Sequence, residues 1–193
     1  MKRILSRGYI CIILLLMYLP IFILAVYSFT TSSQIGSIHG FSTENYKNLF
    51  GNGELRGMII GTLLLAFGAA AISTILGSMG AIGAFYSGKM AKGYINTINQ
   101  VPVVNADVVT GFAVCIALVV VWGIDKSTYI PLVAGHVVLC TPFVYLSVVP
   151  KLKQMDQSLY EAALDLGATP FKALKTVVIP QIMPGIISGF ALA

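Results

Sequence analysis

Few residues in this sequence are of a type that does chemistry, and their positions limit what they can do. Asp107 stands in an otherwise uncharged apolar run over residues 101–123, long enough to cross a bilayer as a helix. A carboxylate in that setting costs about 3 kcal/mol on insertion scales unless it meets water, a partner or a ligand. Asp107 and the nearby Asn105 therefore fit two roles, lining a solute pathway or making a hydrogen bond between helices. Proton relays and intramembrane aspartyl proteases need further acids at that depth, and the apolar runs supply none. His39 falls in a loop and His136 stands alone in an apolar run, where it reads as a packing or interhelical hydrogen-bonding residue. Cys11, Cys115 and Cys140 lie in apolar segments with no C-x-x-C pair and no neighbouring His cluster. They read as small buried hydrophobes rather than disulfide partners or metal ligands. The chain is expected to hold no metal or cofactor and to be no enzyme.

The elements that must position these residues are membrane helices. Hydrophobic residues make up 57% of the chain and charged residues 10%, with a mean hydropathy of +0.88, far from the usage of soluble domains. Lipid satisfies no backbone polar groups, and the alternating pattern of a barrel is absent, so an all-α polytopic bundle is expected. Its spans are predicted at about 9–29, 58–86, 101–123 and 129–149, with a further one beginning near 181. The first follows Lys2, Arg3 and Arg7 and reads as an uncleaved anchor. Only a dozen or so residues follow 181, so the sequence reads as truncated inside a helix with at least one span missing.

Lys and Arg are retained on the cytoplasmic side of short loops. Lys2, Arg3, Arg7, Lys89, Lys92, Lys151, Lys153, Lys172 and Lys175 fall on one side of this pattern, against Lys47, Arg56 and Lys126 on the other. This puts the N-terminus in the cytoplasm of a multi-pass protein of the cell membrane. The net charge of +5 follows from that bias and does not indicate nucleic-acid binding. Gly77, Gly80 and Gly83 allow a close helix approach, within this chain or from another subunit. Pro20, Pro131 and Pro142 are expected to kink their helices.

Residues 156–180 carry the most specific signal. Ser158 with Glu161 makes a capping box. Leu159, Ala162, Ala163 and Leu166 share one face, and Gly167 is placed to end the helix. Thr169 is an N-cap and Pro170 suits the first helical position. Pro180 is expected to close the second helix. Two short amphipathic helices between spans suit docking of a soluble partner, or a loop lying on the lipid surface.

The string Glu161-Ala162-Ala163, three residues, Gly167, nine residues, then Val177-Val178-Ile179-Pro180 resembles the EAA loop of ABC importer permeases. Val177 and Ile179 replace the family's Ile and Leu with residues of the same apolar character. Tyr18-Leu19-Pro20-Ile21, Tyr27-Ser28-Phe29, Phe41-Ser42-Thr43 with Asn45-Tyr46 and Leu49, and the run Val103 to Gly111 are similar to the C-type permeases of spermidine/putrescine importers. Relatives often carry Pro before the acid. Ala106 departs from that, leaving the local kink open.

The resemblance implies a type I importer permease of MetI-like fold. Glu161, Ala162, Ala163, Gly167, Ala168 and Pro180 would couple it to a separate ATPase subunit, which would bind ATP and Mg, since this chain has no Walker motif. It also implies a heterodimer with a second permease, two ATPase subunits and an extracytoplasmic polyamine-binding protein. Asp107 and the faces of Trp122, Tyr129 and Tyr145 suit a cationic solute, although the interface belt also accounts for Trp122 and Tyr129. Permeases for other solutes share much of this pattern. An ion-coupled secondary transporter would show repeats and broken helices with ion ligands, and no repeat is seen.

Overall fold

A computed structural model describes residues 2–30, 40–125 and 127–193, with side chains from Gly8 onward. His39 and Lys126 lie outside the described residues. The chain divides into two compact units, residues 1–62 and 63–193.

In the first unit, α1 (Lys2–Ser28) contains the uncharged stretch, and its Gly8–Ser28 portion is 21 residues long, enough to cross a bilayer. The chain beyond α1 is tied to α2 (Glu44–Gly51) by backbone and side-chain bonds. Thr30 bridges Phe41, the Ser42 N–H donates to the Phe29 carbonyl at 2.8 Å, and the Asn45 amide donates to the Thr30 carbonyl at 2.9 Å. Phe29 stacks on Phe41 at 5.6 Å and tilts against Tyr46 at 5.2 Å. These are the loop residues Phe41, Asn45 and Tyr46 singled out in the sequence, and they form one local aromatic and amide cluster.

The helix α3 (Gly53–Tyr86) begins in the first unit and supplies buried small residues, among them Ala69, Ser73, Gly77 and Ala81, to the second. There it is followed by α4 (Lys89–Val104), α5 (Asp107–Ile116), α6 (Tyr129–Gln154), α7 (Gln157–Asp165), α8 (Pro170–Ala173) and α9 (Ile179–Leu192). The hub is α6, against which α4, α5 and α9 all pack. Val144, Val148 and Leu152 of α6 are fully buried with Ile182 of α9 and Val178 just before it. Lipid is as apolar as a leucine, so helices in a bilayer associate through close van der Waals fit rather than hydrophobic transfer. Glycines provide that fit here. A Cβ on Gly77 would lie 2.7 Å from the Val144 Cβ, and one on Gly189 would lie 3.1 Å from the Val144 Cα. Gly185 sits on the Ser147 carbonyl and the Lys151 stem. Gly77 thus packs within the chain, whereas Gly83 faces open space.

Three sequence expectations are corrected by this architecture. The run 101–123 is no single straight span: α4 and the helix of residues 107–121 meet at 110° across Asn105 and Ala106. Both linking residues are extended, with Asn105 at ψ 153 and Ala106 at ψ 132. The break forms without a proline at 106, because Ala106 serves as N-cap of α5 and its carbonyl accepts from the N–H groups of Val109 and Thr110. Pro131, expected to kink its helix, lies in the first turn of α6, where a missing N–H removes no intrahelical bond. Pro180 does not end its helix either. Helix runs from Pro170 to Leu192, 23 residues and apolar enough to cross a membrane, so more than the dozen residues after 181 contribute to this span. The turn Leu174–Val178 just before Pro180 is a π-helix. Its wider winding accommodates a ring that lacks an N–H and crowds the preceding turn.

Candidate functional site

The segment joining α6 to α9 is built by caps at both ends. Met155 and Asp156 leave α6 in extended conformation, and the Asp156 carboxylate accepts from the Ser158 N–H at 3.0 Å. Asp156 is therefore the N-cap of α7, two residues before the capping box read from the sequence. Side-chain and backbone hydrogen bonds from Ser158 hold the Asp156 carboxyl below its ordinary pKa. Glu161 is left exposed and contributes no capping bond among the described residues. The predicted Ser158–Glu161 box is not formed, because the helix begins at Gln157 and a box would need Ser158 outside it.

At its other end α7 closes on Gly167, whose φ of +83° lies in the left-handed region. The Gly167 N–H donates to the Leu164 carbonyl at 2.9 Å and the Ala168 N–H to the Ala163 carbonyl at 3.0 Å. This pair is the Schellman arrangement, which satisfies the last carbonyls of the helix and needs a residue free of Cβ strain at the turn. The reversal puts Thr169 at the N-cap of α8, where its side chain accepts from the Lys172 N–H, and Pro170 in the first turn.

The apolar face read from the sequence is left uncovered. Leu166 is 89% exposed and Leu159 51% exposed, and Ala162 is exposed beside them. The opposite side is anchored, with Tyr160 packed against the core cluster and its ring 5.2 Å from that of Tyr86. Between α7 and the following helix runs an open groove of about 270 Å³, lined by Ala163, Leu166, Gly167, Ala168, Lys172 and Thr176 among others. Glu161, Ala162, Ala163, Gly167 and Ala168 therefore share one projecting hairpin. Pro180 belongs to the membrane helix that follows it.

Asp107 occupies the first position of α5, where its carboxylate complements the helix dipole. It is exposed on this chain, as is Asn105, and neither side chain has a hydrogen-bond partner among the described residues. The helix–helix hydrogen bond considered for Asp107 is not made among the described residues of this chain. Next to α5, a cavity of about 470 Å³ opens against α6, lined by Gly111, Cys115, Tyr129, Gly135, His136 and Leu139 among others. His136 donates from Nδ1 to the Leu132 carbonyl of its own helix at 2.8 Å, so its bond is intrahelical rather than interhelical. Cys11 and Cys115 are exposed rather than buried, since an apolar side chain gains nothing by leaving lipid. Cys140 donates to the Ala193 carbonyl. Tyr145, weighed as a cation-binding face, is buried, with its hydroxyl donated to the Asn96 side-chain carbonyl.

Two groups of residues escaped the sequence reading. Asp156 had a local signal, an Asp two positions before a Ser at the start of an apolar period. The meeting of Lys92, Asn96, Tyr145 and Lys153 had none, because it joins two helices far apart in the chain.

Comparison with known proteins agrees with this geometry. The family described as "Binding-protein-dependent transport system inner membrane component" matches residues 73–193. The putrescine transport system permease protein PotI of Escherichia coli (strain K12) is 34% identical over 184 residues, covering 92% of this chain and 65% of that protein. The spermidine/putrescine transport system permease protein PotC of the same strain is 30% identical over 191 residues, covering 99% of this chain and 72% of that protein. PotC of Haemophilus influenzae is 30% identical over 189 residues, covering 98% and 73%. The chain thus spans about two thirds to three quarters of the length of these relatives. A crystal structure of an amino acid ABC transporter with histidines shares the fold, with a TM-score of 0.55 and 24% identity over 76% of this chain and 66% of that one. With the family match running over residues 73–193 and relatives of 30–34% identity along most of the chain, this chain belongs to the binding-protein-dependent transport system inner membrane components.

Proposed function

We propose that the chain is one permease half of an ABC importer that carries polyamines, putrescine or spermidine, across the cytoplasmic membrane. The observation that carries this reading is the hairpin of α7. Its helix is capped at Asp156 and Gly167, anchored through Tyr160, and leaves Leu159, Ala162 and Leu166 uncovered. A rigid helix with an unpaired apolar edge and a free carboxylate at Glu161 suits the groove of a soluble ATPase subunit. That subunit would bind ATP and Mg. A second permease would complete the pathway as a heterodimer, two ATPase subunits would drive it, and an extracytoplasmic binding protein would deliver the solute. Closure of the ATPase pair would pull the paired hairpins together and rock the permease halves between inward-facing and outward-facing states.

The solute assignment is supported by the names of the relatives PotI and PotC and by an unpartnered carboxylate at the α4–α5 break. Asp107 is exposed and has no cationic partner among the described residues. In a pathway with little water a carboxylate gains strongly from a passing ammonium. The lysines at the ends of the helices support an N-terminus in the cytoplasm.

The test is uptake of labelled putrescine and spermidine by cells lacking other polyamine importers, with the permease gene expressed alongside its neighbouring subunit genes. ATP-dependent uptake that is lost in Gly167→Asp, with the complex still assembled in the membrane, is the expected result. Full uptake by that variant would remove the docking role. Uptake that persists without ATP would point to a secondary transporter, and an active complex that moves neither polyamine would discard the solute.

A further inference from the structure

The end of α3 and the lysine-bearing ends of α4 and α6 line a second, smaller cavity of about 70 Å³. At about 30 Å³ per water it holds a tetrahedral oxyanion but no bulky headgroup. Its polar lining is Lys92, Asn96, Tyr145 and Lys153, and no acidic residue lines it. Lys92, Lys153 and the Asn96 amide present donors there. The Tyr145 hydroxyl is donated to the Asn96 side-chain carbonyl, which uses up the acceptor of that amide and leaves its N–H₂ for a ligand. Lys92 is half-buried and held with its Nζ 5.8 Å from the centre of the Phe85 ring. Neither Lys92 nor Lys153 has a carboxylate partner among the described residues. Two ammonium groups and an amide N–H₂ around one small cavity select an anion.

The surroundings decide which anion. Phe85 and Val149 form apolar walls. On the face of α4 turned away from Lys92 and Asn96, Met90, Tyr94 and Ile98 are exposed, and Tyr86 is 44% exposed at the end of α3. A cationic cavity with apolar walls, between helices that expose apolar side chains and at the end of helices long enough to span a bilayer, matches a phosphate that carries acyl chains. Basic pockets between membrane helices hold headgroup phosphates in this way. We infer that Lys92, Asn96 and Lys153 bind the phosphate of an anionic phospholipid between α3, α4 and α6. This lipid would brace α4 against α6, and α4 leads directly into the break that carries Asp107. The inference is independent of the solute.

The experiment is native mass spectrometry of the chain, purified with whatever subunits accompany it and exchanged into mixed micelles of equimolar phosphatidylglycerol and phosphatidylcholine. Wild type is expected to retain phosphatidylglycerol about thirty-fold over phosphatidylcholine, the combined surface attraction of two lysines. Lys92→Gln with Lys153→Gln is expected to bring that ratio near parity, and Lys92→Arg with Lys153→Arg to keep it. Asn96→Asp, which hardly alters shape but adds a like charge, is expected to abolish it. Lys89→Gln with Lys175→Gln removes two lysines outside the cavity and is the control. Equal loss in that control would mean unspecific charge attraction and overturn the site. Undiminished retention in the Lys92, Lys153 double glutamine variant would do the same. Displacement of the lipid by millimolar inorganic phosphate would assign the site to a soluble anion and remove the lipid.

Discussion

Substituting Gly167 separates backbone conformation from side-chain bulk at the turn that holds α7. Its φ is +83°, and a Cβ built on it meets nothing within 4 Å. Any penalty on replacement therefore comes from the left-handed backbone, about 1–2 kcal/mol for a residue with a Cβ, and not from a clash. That cost opens the turn about five- to thirty-fold more often in Gly167→Ala. Asn tolerates this region better than Ala although it is larger, and the β-branched Val tolerates it worse. The expected order of disruption is Asn, then Ala, then Val. Amide hydrogen exchange in detergent micelles reads it directly, at the Ala168 N–H bound to the Ala163 carbonyl and the residue 167 N–H bound to the Leu164 carbonyl. Exchange should rise there and leave the α6 and α9 cores protected. Disruption that follows side-chain volume, with Asn worse than Ala, would refute the argument from φ. Exchange in Gly167→Val equal to wild type would show that the Schellman bonds do not hold the hairpin.

Other outcomes follow from the same geometry. Gly77→Ala should lower the thermal midpoint in detergent, because its Cβ would lie 2.7 Å from the Val144 Cβ and 2.9 Å from the Thr141 carbonyl oxygen, an overpacking worth about 1–3 kcal/mol. Gly83→Ala on the same helix meets nothing and should leave the midpoint unchanged. Ile182→Ala removes a fully buried side chain and should cost about 2–5 kcal/mol, seen as a lower midpoint in the same assay. Glu161→Gln should leave exchange across α7 as in wild type, since Glu161 makes no capping bond among the described residues, while the proposed docking on an ATPase subunit predicts about a tenfold fall in polyamine uptake through loss of one charge-assisted hydrogen bond. The Asp156 carboxyl is held below its ordinary value of 3.8, so its capping is complete above that pH and is lost as pH falls through the depressed folded value. Protection in the first turn of α7, taken relative to the intrinsic exchange rate at each pH, should be flat from neutral pH down to about 4 and fall below it. Asp156→Asn caps without titrating and should remove that step.

Much of this protein was settled by its amino-acid sequence. Uncharged apolar runs of bilayer length force helices because lipid satisfies no backbone group. The spacing from Asp156 through Gly167 to Pro170 marked the hairpin because a glycine turn and a proline-started helix are local matters. Thr169 and Pro170 behaved as local rules require. Tertiary structure decided what depends on neighbours distant in the chain. The helix continued through Pro180 because one π-turn absorbed the ring, a choice favoured by the burial of Val178 and Ile182 against α6. The run holding Asp107 broke at Asn105 and Ala106, although its hydropathy alone read as one span, because hydropathy carries no information on backbone direction. Gly77 found its partner in Val144, and Tyr145 turned from a possible cation face into the donor that orients Asn96. In lipid every helix face is apolar, so which faces meet is set by shape and by a few buried hydrogen bonds, and these exist only once the helices have packed.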